Sequence, residues 1–334
     1  MHKKTFFDAE DKERLPELRI ALNHNCNLCC RYCPPNGENF ADTGRPLKIN
    51  KLLRILGIFY QTGFLRFDFT GGEPLLNKNL PLILNYCRGF KTSRLKLHTN
   101  GVLIRDNIPV LKHFDVIKLS LDTVDRKKFM LITGRDDLRK IIEGIDIAVA
   151  KKIKIRINTV LTKFNSDEIF GLIKFCCDRK IDLKVLDLNC FDKPGYRAWK
   201  RFYQSPEGLI RFLEDSSSGK KTIYTAGNYG IPMLKFKYKK ISIRVKDSRE
   251  SSTYPLICKD CKYFLCQEGL YHLTLTSDGS VKMCKHRRDM SFDLSKVSDE
   301  ASIKNTIMNF TKANFLRSKR VFRDKQVFTG RFGR

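Results

Sequence analysis

Apolar residues over the first 190 positions fall into short β-rich runs, separated by stretches in which they recur every three or four residues. The runs at 17–23, 64–69, 93–99, 114–121, 153–161 and 181–188 predict strands, because branched and aromatic residues cluster there. The stretches at 50–61, 79–88, 138–151 and 167–179 have the spacing of amphipathic helices. Such alternation builds parallel βαβ units with right-handed crossovers. Two α/β folds satisfy it, a partial (βα)6 TIM barrel and a doubly wound sheet. Past residue 190 the pattern changes. Residues 191–230 carry Pro, Gly and the run Ser216-Ser217-Ser218-Gly219, 235–245 alternate basic and apolar, and 258–284 are rich in cysteine. The pattern divides the chain into a domain at 1–190, a second at 191–310, and a tail at 311–334 with eight basic residues and one acidic.

Composition narrows the class. With 42% hydrophobic and 11% aromatic residues over 334 positions, the chain can bury a large core and is not a disordered polymer. A formal charge of +28 favours phosphates, nucleotides, RNA or acidic peptides as partners, although the same excess also serves solubility. The first residues, Met1-His2-Lys3-Lys4, lead into an acidic stretch with no apolar export signal, and no apolar run of membrane-spanning length follows. The expectation is a cytoplasmic protein, in which the twelve cysteines serve as metal ligands or buried thiols. Cys87, Cys176, Cys177 and Cys190 are expected to be buried small hydrophobes.

Cys26, Cys30 and Cys33 form CxxxCxxC directly after the first predicted strand. Three thiolates from one tight loop can hold three irons of a 4Fe-4S cluster and leave the fourth to an outside ligand. A structural zinc site would need a fourth donor, and Cys29, adjacent to Cys30, is badly placed to supply it. Gly71-Gly72-Glu73-Pro74 follows the second strand, Asn100 the third, and Ser120 ends the fourth, while Asn158 lies on the fifth. Each is weak alone. Together they fall where a βα barrel collects ligand-binding groups, at the C-terminal ends of its strands, and this favours the barrel.

The cysteine motif, with Tyr32 before its last cysteine, resembles that of the radical SAM superfamily. The resemblance implies that the open iron is chelated by S-adenosylmethionine (SAM), whose reductive cleavage releases a 5′-deoxyadenosyl radical. It further implies that Gly71 and Gly72 bring backbone close to SAM, that the Glu73 carboxylate accepts from its ammonium group, and that Asn100, Ser120 and Asn158 serve its carboxylate and ribose. A reductant such as flavodoxin or ferredoxin would supply the electron.

Cys258, Cys261, Cys266 and Cys284 form a second group, which suits either zinc or an auxiliary Fe-S cluster. The radical SAM resemblance favours the second cluster, and with it an auxiliary iron-sulfur domain. The layout is most similar to the GTP 3′,8-cyclase family of molybdenum-cofactor biosynthesis. Leu18-Arg19-Ile20, Thr70 to Leu76, Ser120-Leu121-Asp122, Ile132-Thr133-Gly134-Arg135, Asn158-Thr159-Val160 and the C-terminal CxxC carry that similarity. It implies that Arg19 and Arg156 hold the triphosphate of a nucleotide. His272 and Thr274 stand where that family has two arginines, Cys266 is a possible fourth ligand, and the family's terminal double glycine is absent. A peptide-maturing radical enzyme with a fully ligated auxiliary cluster is therefore a rival. A second rival is a non-catalytic zinc or Fe-S protein binding nucleic acid through the basic, Phe-containing tail.

Overall fold

The computed structural model describes residues 15–33, 45–189, 199–223, 231–248, 252–259, 261, 272–316 and 320–323. Six strands, β1 (Glu17–Ala21), β2 (Arg66–Thr70), β3 (Arg94–Thr99), β4 (Val116–Ser120), β5 (Ile155–Leu161) and β6 (Asp182–Asp187), lie side by side in chain order. All five neighbouring pairs are parallel. β1 and β6 do not pair with each other, so the barrel is open, and the partial TIM-barrel expectation holds.

Of the helices between them, α1 (Ile49–Gln61), α2 (Leu80–Cys87), α5 (Leu138–Ala150) and α6 (Ile169–Arg179) match the apolar periodicity, and the short α3 (Ile108–Leu111) and α4 (Arg126–Thr133) come in addition. Alternate strand positions face them. Leu18, Ile20, Phe67, Phe69, Leu97, Ile117, Leu119, Ile157, Leu183 and Val185 are all buried in one apolar cluster with Ile55, Phe59, Ile83, Ile141 and Leu172 of the helices. Full burial of such a side chain is worth about 1.5–3 kcal/mol, so this layer anchors the barrel. The intervening strand positions face the concave side, and they are mostly polar or charged.

The chain beyond 190 extends both edges of the same sheet. After helix α7 (Glu207–Ser216) come β7 (Lys220–Ile223), β8 (Met233–Tyr238) and β9 (Ile241–Lys246). β9 adds in parallel to β6, and β8 and β7 follow antiparallel. The basic and apolar alternation at 235–245 is therefore a hairpin, turning at Lys239. At the other edge β11 (His272–Leu275) adds in parallel to β1 and is followed by β12 (Ser280–Lys282) and β13 (Ser291–Asp293). One twelve-stranded sheet results, and the expected division near residue 190 does not coincide with a break in it. β10 (Ser252–Pro255) and β14 (Arg320–Arg323) form a separate pair, and α8 (Glu300–Thr311) lies between β13 and β14 in the chain. Among the described residues no helix is long and apolar enough to cross a membrane.

Candidate functional site

The CxxxCxxC loop leaves β1 and is fastened from two sides by backbone. On one side the Gly72 amide donates to the Asn23 carbonyl at 2.9 Å and the Glu73 amide to Asn25 at 2.8 Å. A Cβ at Gly71 would lie 2.6 Å from the Asn23 carbonyl oxygen, and one at Gly72 only 2.3 Å from that of Asn25. The paired glycines are thus needed for one loop to lie against the other. On the other side Cys29 donates to Thr133 at 2.9 Å and Arg31 to Ile132 at 3.0 Å. Those carbonyls are exposed by the end of α4, which Gly134 terminates in the left-handed conformation. The Ile132-Thr133-Gly134 segment, singled out in the sequence with no role, is a dock for the cysteine loop.

Within this loop Cys26, Cys29 and Cys33 are exposed and Cys30 is partly buried. Burial pushes the Cys30 thiol up, and the neighbouring Asp122, Cys33, Cys26 and Cys29 add to the shift. Among the described residues no three Cys, His, Asp or Glu side chains close around a single metal ion. Thiolates that hold a cluster stand wider apart, because the cluster's own atoms lie between them. Soft donors on one pinned loop fit a 4Fe-4S cluster in this way. Because thiolate, and not thiol, is the ligand, loading such a loop releases protons.

The loop at Gly71 to Pro74 is held by its own glutamate. Glu73 is fully buried, and its carboxylate accepts from the Leu75 amide (3.0 Å), the Thr99 hydroxyl (2.8 Å) and the Asn100 amide (2.7 Å). Burial raises its pKa to about 7 against the opposing pull of these donors. The Glu73 carboxylate is thus turned inward and shapes the loop. Asn100, by contrast, reaches the cysteine loop, its amide donating to Asn27 Oδ1 at 2.7 Å and to Cys26 Sγ at 3.6 Å.

Tyr32 donates its hydroxyl to the Asp122 carboxylate, which also accepts from the Val160 amide at 2.8 Å and the Thr159 hydroxyl at 3.2 Å. Burial raises the pKa of both members of the pair. Asp122 thus ties the aromatic of the motif to β5, a role that its place in Ser120-Leu121-Asp122 did not reveal. Ser120 is exposed at the end of β4, level with Asn158, which accepts from Arg156 Nε at 3.3 Å.

Beneath these groups the concave face is charged. Asp68 accepts from Lys118 and lies 3.0 Å from His98 Nε2, and Lys96 pairs with Glu17. Burial lowers the His98 pKa to about 4, so its imidazole is neutral. Arg19 stands next to Asp68 and to Thr274 in register, and Glu17 next to His272. Lys118, Arg156 and Lys184 continue the ring across β4, β5 and β6. Sequence reading found Arg19 and Arg156 and missed Asp68, His98, Lys118 and Lys184. The signal was present as period-two alternation, with a charged side chain at many of the inward positions.

The second cysteine group comes from separate pieces. Cys258 ends a turn after β10, the Cys261 amide donates back to its carbonyl at 3.2 Å, and Cys284 follows β12. Burial, then Cys284 and Cys261, push the Cys258 thiol up to about 12. Arg287 closes over them, donating to the Ile257 carbonyl at 2.8 Å. Cys266 and Cys190 lie outside the described residues, as does most of the 311–334 tail. Cys87 and Cys176 are fully buried, and Cys177 is half-buried.

Comparison with known proteins agrees with this layout. The sequence profile of the radical SAM superfamily matches residues 20–176. The GTP 3′,8-cyclase of Peptoclostridium acidaminophilum is 30% identical over 298 residues, spanning 84% of this chain and 83% of that relative. The GTP 3′,8-cyclase of a Synechocystis strain is 31% identical over 217 residues, 64% of this chain and 66% of the relative. Among solved structures, Streptococcus suis SuiB bound to S-adenosylmethionine superposes with a TM-score of 0.58 at 17% identity, over 88% of this chain. The chain spans 65% of that protein, just under two thirds of its length. Sequence, fold and the pinned cysteine loop lead to one conclusion: this chain belongs to the radical SAM superfamily, within the family of the GTP 3′,8-cyclases.

Proposed function

We propose that this enzyme abstracts hydrogen from a nucleotide-like substrate, GTP being the first candidate, held in the mouth of the open barrel. The cluster on Cys26, Cys30 and Cys33, with bound SAM, supplies a 5′-deoxyadenosyl radical. Around it the chain's own residues orient and enclose: the backbone of Gly71 and Gly72, Asn100, Ser120 and Asn158 line the place for SAM. The observation that carries the substrate reading is the set of luminal cations, with Lys118 and Arg156 one layer from Ser120 and Asn158, Lys184 level with Asn158, and Arg19 on β1. Cations at that depth suit the phosphates of a nucleotide. Cys258, Cys261 and Cys284 hold a second Fe-S cluster in this reading. The reducing cytoplasm, with flavodoxin or ferredoxin as donor, is the setting the cysteine usage favours.

The test is anaerobic reconstitution with iron and sulfide, followed by GTP, SAM and dithionite and mass spectrometry of the products. Formation of 5′-deoxyadenosine together with a GTP-derived product supports the reading. Cleavage of SAM with GTP left intact overturns the substrate while keeping the enzyme class. A peptide substrate is the second reading. It draws on Cys266 as a fourth thiol that would close the auxiliary cluster, and on SuiB, which has also been solved bound to the precursor peptide SuiA.

A further inference from the structure

The end of the barrel opposite the cysteine loop carries an unbalanced charge. Parallel strands start there, each entered from a short turn, and the order β3, β4, β5, β6, β9 sets five such turns side by side. Every one of them brings an exposed lysine: Lys91 before β3, Lys112 before β4, Lys152 before β5, Lys180 before β6 and Lys239 before β9. None of the five makes an ion pair or a side-chain hydrogen bond among the described residues. The acids of this end are engaged elsewhere. Asp115 accepts from the Leu95 amide at 2.7 Å and Asp182 from the Ser242 amide at 2.9 Å, while Asp146 pairs with Arg179 and Asp178 with Lys174.

Backbone conformation is a second, independent observation. Among the described residues, the left-handed region holds four that are not glycine, Thr92, Lys152, Lys180 and Lys239, with φ between 50° and 61°. All four lie in these turns, and three are lysines. Glycine takes that conformation without strain and is the usual residue at the end of a helix or in a tight turn. A lysine there is strained, and of the three only the Lys239 ammonium has a contact within the chain, over the Tyr238 ring at 5.5 Å. Strain kept at an exposed turn is the mark of a demand on the side chain itself.

The apolar residues of the same turns, Phe90, Phe114, Ile153, Ile181 and Ile241, are all buried. The turns thus present charge without apolar anchors. A lipid surface is gripped by apolar side chains interleaved with cations, whereas a phosphodiester backbone needs the cations alone. The charges recur once per strand step, about 4.8 Å apart at the backbone and over about 19 Å in all, which suits a polymer of evenly repeated negative charge. A single strand can follow a row that curves around an open barrel, and a stiff duplex cannot. Tyr86, exposed at the end of α2 with its ring edge-on to Phe90 at 5.4 Å, adds an aromatic face for a base.

We propose that this end of the barrel is a sequence-independent docking surface for single-stranded nucleic acid, gripped through its phosphates by the five lysines. The inference goes beyond the substrate reading above and does not rest on it. The six residues of β6 separate these turns from the mouth by about 20 Å, so a strand held here stays outside the site of radical chemistry.

The probe is a fluorescein-labelled oligouridylate of about 20 nucleotides, titrated by anisotropy into the full chain between about 50 and about 200 mM salt. Lys152→Gly, Lys180→Gly and Lys239→Gly together are expected to weaken binding at least about tenfold near 100 mM salt. They should also lower the slope of log affinity against log salt by about 2, three lost phosphate contacts at about 0.7 each. Because glycine fits these turns, the variant should melt no lower than wild type and keep dithionite-driven SAM cleavage. The matched control removes three exposed lysines from the mouth end, Lys78→Gln, Lys127→Gln and Lys163→Gln, and should change affinity by less than about twofold. Equal loss in both triple variants would mean attraction by net charge alone and overturns the surface, as does wild-type protein that ignores the oligonucleotide. Glycine-sensitive binding to phosphatidylserine vesicles without binding to oligouridylate also overturns it, in favour of a membrane.

Discussion

The two cysteine groups are built in opposite ways. The loop of Cys26, Cys30 and Cys33 is fastened by backbone: carbonyls at Thr133 and Ile132 take its amides, and its own Asn23 and Asn25 carbonyls take those of Gly72 and Glu73. The group of Cys258, Cys261 and Cys284 takes its members from a turn after β10, which among the described residues pairs with β14, and from the end of β12 in the main sheet. Among the described residues, the Lys259 and Cys261 amides close turns onto Leu256 and Cys258, the Met283 amide donates to Met290 at 3.0 Å, and Arg287 reaches the Ile257 carbonyl. Backbone bonds prepare the first site for a cluster, whereas a cluster on the second would join two chain segments. A reactive iron that must meet SAM in one geometry benefits from the first design, whereas a metal whose role is to join two chain segments is served by the second.

The strongest way to break this contrast is to remove the ligands. Changing Cys26, Cys30 and Cys33 together to Ala is expected to abolish 5′-deoxyadenosine formation under reducing conditions, while iron on the second group remains. Changing Cys258, Cys261 and Cys284 to Ala should remove that second iron load and leave SAM cleavage detectable. Chromatographic quantification of 5′-deoxyadenosine with iron counting checks both, and cleavage that survives in the first variant sinks the assignment.

Next in size is Gly72→Ala. The new methyl would meet the backbone of Asn25 and His24, which cannot swing aside as a side chain could. Overpacking of this kind costs about 1–3 kcal/mol, and here it also displaces the cysteine loop. The variant should melt lower and cleave SAM poorly. Gly208→Ala, with nothing within 4 Å, serves as the matched control and should do neither.

The sequence made the barrel legible because its β1 to β6 runs pair apolar outward positions with clean boundaries; the six expected strands all formed within about two residues of their expected ends. α4 escaped because only Phe129, Ile132 and Thr133 of its eight residues are buried, so its evidence lay in the caps, Asp125 and Gly134, and not in periodicity. The added strands escaped for another reason: β9 and β11 join β6 and β1 across long stretches of chain, and no local pattern encodes a distant partner. At the site, the cysteine spacing was legible from chemistry alone. The inward turn of Glu73 was not, because the same Gly-Gly-Glu-Pro could present its carboxylate to a ligand or to its own backbone.

That inward turn gives a smaller effect. Each Glu73 oxygen faces a donor, so in Glu73→Gln the amide nitrogen must oppose one of them, at a cost of about 1–3 kcal/mol. The pH dependence follows from a carboxyl raised from 4.5 to about 7. Between those values the folded state keeps a proton that the unfolded state has released, so this group's contribution to stability falls as pH rises through the window and is level above it. Gln has no such slope. The gap in urea midpoint between wild-type apoprotein and the variant should therefore narrow from about pH 5 to about pH 8. A gap that widens would show that the donors, not burial, dominate at Glu73.

The finest test of the contrast is removal of iron from otherwise intact protein, read by hydrogen exchange. The amides of Gly72, Glu73, Cys29, Arg31 and Cys33 donate to carbonyl oxygens of the chain itself. Their protection does not depend on metal, and chelation should change it little. In the second group the His286 amide points at Cys284 Sγ at 3.4 Å, and the Cys261 turn bond ties Cys261 back to Cys258. There a cluster would tie together two segments distant in the chain, so losing it should free the segments from each other. Exchange at 256–261 and 284–287 should rise well above that at 26–33. Equal loss of protection at both sites would mean that the first loop, too, is shaped by its cluster, and that its backbone bonds follow metal binding instead of preparing for it.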